Sequence, residues 1–100
     1  MKNLNKVKSY YGLSVRARKV ALGTNEILEK DVFAVVASKA LSQNALNKIS
    51  NHIEKRNSMI LSYHAVPTEE EMFFITENSK ILVFGLTDKG LANAMIQNIA

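Results

Sequence analysis

The chain has 100 residues, enough for one domain with one modest core. Hydrophobic residues are 47% and charged residues 22%, an ordinary globular balance, and no apolar run nears the roughly 18 residues of a membrane span. There is no cysteine, which excludes disulfides, thiolate metal sites and cysteine nucleophiles. The basic start, Met1 to Lys8, is not followed by a signal-peptide core, so the expected location is cytoplasmic.

The net charge is +4, and it is unevenly spread. Residues 1–25 hold Lys2, Lys6, Lys8, Arg16, Arg18 and Lys19 and no acid, whereas residues 26–100 carry a net −2. Such asymmetry points to a polyanion partner, although a solvated basic helix face explains it equally well.

Residues 3–19 predict a helix. Leu4, Val7, Tyr11 and Val15 recur at spacings of three and four, and Gly12 weakens the pattern. Val20-Ala21-Leu22 is a brief strand. Gly23-Thr24-Asn25-Glu26 then reads as a turn into a helix over Thr24 to Lys30, capped by Thr24. A helix start exposes unpaired N–H groups that suit a phosphate. Val32 to Ala37 is an apolar, β-branched run, the pattern of a strand buried on both faces.

Ser42 caps an expected helix over 43–56, with Ala45, Leu46, Ile49 and Ile53 as its core stripe. Met59 to Tyr63 predicts the next strand. Thr68 and Glu71 form a capping box for a helix through Phe74. Ile81 to Phe84 is the last strand, Gly85-Leu86-Thr87 a tight loop, and Thr87 or Asp88 the cap of a final helix through Leu91, Met95 and Ile99. This alternation predicts a single α/β domain over residues 1–100. The expected architecture is a three-layer α/β/α sandwich around a central mixed, mostly parallel four-stranded sheet.

Catalytic constellations are scarce. His52 and His64 lack metal-ligand spacing, and the acids Glu69-Glu70-Glu71 suit a helix start without catalysis. We expect no enzyme, no metal and no cofactor. Binding fares better. In open α/β sheets ligands sit beyond the carboxyl ends of strands, which selects the loops Gly23–Glu26 and Gly85–Lys89.

Those segments carry a family resemblance. Gly23-Thr24-Asn25-Glu26 after a basic helix resembles the signature of the ribosomal proteins "L-seven-Ae" and "L-thirty-e". Tyr11-Gly12-Leu13-Ser14-Val15-Arg16-Ala17-Arg18-Lys19 and Leu86-Thr87-Asp88-Lys89-Gly90-Leu91-Ala92 resemble segments of its small bacterial, YlxQ-type branch. The resemblance implies a non-enzymatic protein that binds structured, kink-turn-like RNA, ribosomal or in another ribonucleoprotein with its further components. It implies that Asn25 and Glu26 read guanine edges, and that Lys19 and the helix start hold phosphates. It also implies that Gly85, Leu86 and Thr87 form a second RNA-facing loop. Arg16, Arg18 and Lys30 add affinity through phosphate contacts. There are three departures. Glu29 stands where the family has a lysine, Arg18 replaces a glycine, and the segment from Gly23 to Phe33 is about five residues short of the family pattern. Glu29 and the short helix favour the alternative, a protein-interaction module on the same fold with a degenerate RNA surface.

Overall fold

Asn3 opens the first helix, α1 (Leu4–Arg16), by accepting a hydrogen bond from the Lys6 N–H through its Oδ1 at 3.2 Å. The computed structural model, which describes residues 3–54, 62–64 and 67–99, then continues through eight further elements. These are β1 (Val20–Leu22), α2 (Gly23–Glu29), β2 (Ala34–Ala37), α3 (Gln43–Glu54), β3 (Ser62–His64), α4 (Glu69–Thr76), β4 (Val83–Leu86) and α5 (Lys89–Ile99). The Met59 to Leu61 part of the expected strand lies outside the described residues.

The strand order is β1-β4-β2-β3. β4 runs antiparallel to both β1 and β2, with Val20 opposite Leu86 and Ala37 opposite Val83. β3 alone joins in parallel, at the edge beside β2. The expected mostly parallel sheet is therefore overturned: the centre is a three-stranded antiparallel sheet. An apolar strand buried on both faces looks the same in sequence whichever way it runs, so the pattern of Val32 to Ala37 could not decide direction.

β2 and β4 are buried along their whole length. Phe84, Leu86, Ala34 and Val36 point to one face and pack with Val7 and Tyr11 of α1, Met72 and Ile75 of α4, and Met95 and Ile99 of α5. Val35, Ala37 and Val83 point to the other, against Ile27 of α2 and Ile49 of α3. The Tyr11 ring meets Phe84 edge-on, with centroids 4.9 Å apart.

Three local readings need correcting. Val15 is 41% exposed and Ser14 takes its place in the buried stripe. Ser14 satisfies its hydroxyl by donating to the Tyr10 carbonyl at 2.8 Å. Thr24 does not cap α2. The helix begins one residue earlier, at Gly23, with Leu22 in the cap position and no side-chain cap bond. The last strand is displaced two residues forward, so Gly85 and Leu86 are strand rather than loop. The expected caps Ser42 and Asp88 are present: Ser42 Oγ accepts from Ala45 N–H at 3.3 Å and Asp88 Oδ2 from Leu91 N–H at 2.9 Å. The Thr68–Glu71 capping box is complete in both directions.

Gly85 explains the displaced strand. A Cβ there would lie 2.8 Å from Val32 Cγ1 and 3.3 Å from Ile27 Cγ1, both in buried side chains. Glycine is present because α2 and the approach to β2 close directly onto the strand. Gly12 is different, since a Cβ there would meet only Arg16 Nη1, at an ordinary 3.8 Å.

A groove of about 310 Å³ separates α1 from the end of α4. Lys8 crosses it to pair with Glu77 and lies 4.8 Å over the Phe74 ring. Hydrogen bonding to Lys8 and its positive charge hold the Glu77 carboxyl below its ordinary range. Burial raises the Tyr11 hydroxyl above its ordinary value of 10.0.

Two outcomes follow from this packing. Gly85→Ala destabilises by about 1–3 kcal/mol through overpacking, whereas Gly12→Ala stabilises by about 0.5–1 kcal/mol through helix propensity. Denaturant midpoints for the two variants should move in opposite directions. Burial keeps Tyr11 neutral in the folded state, so its contribution to stability is complete below pH 10.0 and is lost as pH rises through the raised value. Melting temperatures measured up the alkaline range should fall, and Tyr11→Phe should remove this part of the fall.

Candidate nucleic-acid interface

The antiparallel register decides which candidate residues meet. Leu22, the end of β1, pairs with Phe84, near the start of β4, and Val20 pairs with Leu86 at its finish. The loops after β1 and after β4 therefore leave from opposite ends of the sheet. Both loops are selected as lying beyond the carboxyl ends of strands, and in an antiparallel pair those ends are on opposite sides of the sheet.

One end gathers Arg16, Arg18, Lys19 and Thr87. Thr87 N–H donates to the Lys19 carbonyl at 2.9 Å and so fixes the two turns together. The chain reaches β1 through a backbone-bonded helix stop. Arg18 N–H donates to the Val15 carbonyl at 3.1 Å and Lys19 N–H to the Ser14 carbonyl at 2.8 Å, the paired bonds of a Schellman motif. Arg18 occupies the left-handed position of that motif, with φ of 58°. This is a place glycine fills without strain, and the departure noted in the sequence lies here. All three basic side chains are exposed, and none has an ion-pair partner among the described residues.

The other end holds Gly23, Thr24 and Asn25. Gly23 has φ of 84° and open space where a Cβ would sit, and both it and Thr24 are half-buried. Asn25 is exposed, and its side chain has no hydrogen bond among the described residues. Glu26 follows within α2 and pairs with Lys30, at 3.3 Å across one helical turn. Both side chains are nearly half exposed, so the pair contributes only a few tenths of a kcal/mol, about 0.3–0.5. Two residues assigned separate roles thus hold each other's charge. Glu29 is exposed at the end of α2.

Gly85 and Leu86 are withdrawn from the interface. Leu86 is 0% exposed, inside the core with Phe84, and Gly85 lies under Val32 and Ile27. Only Thr87 of that trio reaches the surface. Sequence reasoning missed Lys39 and Lys80, both exposed. Lys39 follows β2 and Lys80 precedes β4, and the register brings both to the end that holds Asn25. No local motif marks either; strand direction finds them.

A concavity of about 520 Å³ lies between α4 and the chain leading to β4, floored by Phe73, Ile81 and Leu82 with Glu69 and Glu70 on its rim. Those carboxylates oppose a phosphate. Among the described residues there is no cluster of three potential metal ligands and no helix long and apolar enough to cross a membrane.

No protein-family model matches the chain, and no curated protein matches it in sequence. Among solved structures it is similar to a protein of unknown function from Bacillus halodurans, with a TM-score of 0.72 over 92% of this chain and 94% of that one. The two are 17% identical, so the likeness is one of fold.

Arg18→Gly relieves the left-handed backbone and should raise stability by about 0.5–1 kcal/mol while removing one charge. An increase in melting temperature checks the strain. A decrease would show that the arginine side chain stabilises the turn by more than its backbone costs.

Proposed function

We propose that this chain is a non-enzymatic RNA-binding protein of the cytoplasm that recognises structured, kink-turn-like RNA, in the ribosome or another ribonucleoprotein. The observation that carries the reading is the first turn of α2, Gly23-Thr24-Asn25, whose exposed asparagine side chain has no hydrogen bond among the described residues. The resemblance to the "L-seven-Ae" family gives that asparagine a role. An amide both donates and accepts, which suits a guanine edge in a sheared pair. Glu26 accepts from guanine N–H donors in exchange for Lys30, a weak partner at 3.3 Å.

Arg16, Arg18 and Lys19 supply the electrostatic part. Lys19, the nearest of them in the chain, stands about 13 Å from Gly23 along the edge strand, counting roughly 3.3 Å per residue. An RNA that bends around β1 reaches both ends. Phosphate contacts at the basic end set the register, and Asn25 supplies the discrimination. A protein-interaction module remains the second reading. It draws on Glu29, exposed where a phosphate would approach, and on Phe73, 54% exposed beside the acidic rim.

The test is a titration against a kink-turn RNA and a plain duplex of equal length, at two salt concentrations. The kink-turn should bind more tightly, and equal affinity for both sinks the claim of shape reading. Asn25→Ala should lose about 1–3 kcal/mol of discrimination. Arg18→Ala should weaken both RNAs alike and lower the logarithmic salt slope by about 0.7–0.9. No binding to either RNA at low salt leaves the interaction-module reading.

A further inference from the structure

We infer that the outer face of α3 is a second RNA contact, which docks on the double-stranded stem flanking the bend. This rests on the RNA-binding reading above and extends its footprint. α2 and α3 start from the same end of the sheet, after β1 and β2, and pack against each other on one face of it. The exposed face of α3 therefore continues from the surface that presents Asn25.

The composition of that face is unusual for a solvated helix. Gln43, Asn47 and Asn51 are all exposed and follow one another at spacings of four, and Asn44 and Lys48 form a parallel row. Asparagine is a poor helix former, because its short amide competes for nearby backbone groups. A face meant only for water favours alanine, glutamate, lysine or glutamine. Yet the fold makes little use of these amides. Gln43 Nε2 donates to Asn47 Oδ1 at 3.0 Å, and the Asn44 and Asn51 side chains have no partner among the described residues. Residues chosen against local preference, without a structural return, mark a functional surface.

Charge selects the occupant. No acid occurs between Asp31 and Glu54, a stretch that includes exposed Lys39 and Lys48. A surface of amides and lysines fits a polyanion that displays hydroxyls. The shallow minor groove of an A-form stem offers 2′-hydroxyls that donate and accept, bordered by phosphates. Amides reach the hydroxyls and the two lysines the phosphates. The acidic α4 surface, with Glu69 and Glu70, lies on another helix and plays no part.

The experiment uses the full chain carrying Asn44→Ala, Asn47→Ala and Lys48→Ala together. Two RNAs are compared: a kink-turn with a flanking stem of about one helical turn, and the same RNA cut back to the bend. Alanine raises helix propensity at all three positions, so the variant should melt at or above the unaltered chain, and lost binding is not lost folding. The variant should bind the long-stemmed RNA about tenfold more weakly and the short RNA unchanged. Equal affinity of variant and unaltered chain for the long-stemmed RNA overturns the inference while leaving the RNA reading standing. An equal loss on both RNAs overturns the assignment to the stem. An unaltered chain that binds neither RNA overturns both.

Discussion

The central constraint is the close seat of β4 between β1 and β2, held open at Gly85. Because that residue has no side chain, Ile27 and Val32 reach the strand directly. This draws α2 and its return to β2 against the sheet, and Phe33 N–H donates to the Leu86 carbonyl at 2.8 Å as the chain arrives. β4 must enter this slot antiparallel to both neighbours. Everything that concerns the surface follows from that direction, including which loops share an end.

Much of the fold was legible because its signals are local. Ser42, Asp88 and the Thr68–Glu71 box each act over three residues, and each cap stands where the sequence puts it. The alternation of helices with short apolar strands is visible for the same reason. Strand direction was not, because burial on both faces erases the alternation that would separate one arrangement from another. The end of the last strand was misjudged through Gly85. Glycine in sequence reads as a break, but here its reason is a non-local one, the approach of two side chains from elsewhere in the chain. The absence of a cap at Gly23 has a similar origin, since the chain passes from strand to helix through a positive φ rather than through a side-chain bond.

The candidate site was legible in part. Charge asymmetry marked Arg16, Arg18 and Lys19, and all three are exposed. A short polar turn marked Asn25, which is exposed too. Leu86 could not be judged, because an apolar residue after a glycine looks alike in a loop and in a core strand; here it is buried. Lys39 and Lys80 carry no motif, and only the register brings them to the end of the sheet that holds Asn25.

The stop at the end of α1 has a consequence for how this surface can change. Backbone bonds from Arg18 and Lys19 to Val15 and Ser14 define the path of the chain, and no side chain takes part in them. Position 18 is thus a site where the path is set independently of the group it displays. Substitutions there that tolerate the left-handed backbone can add, remove or reverse a charge beside the edge strand while β1 keeps its register. The charge displayed at this single point can therefore change without repacking the core.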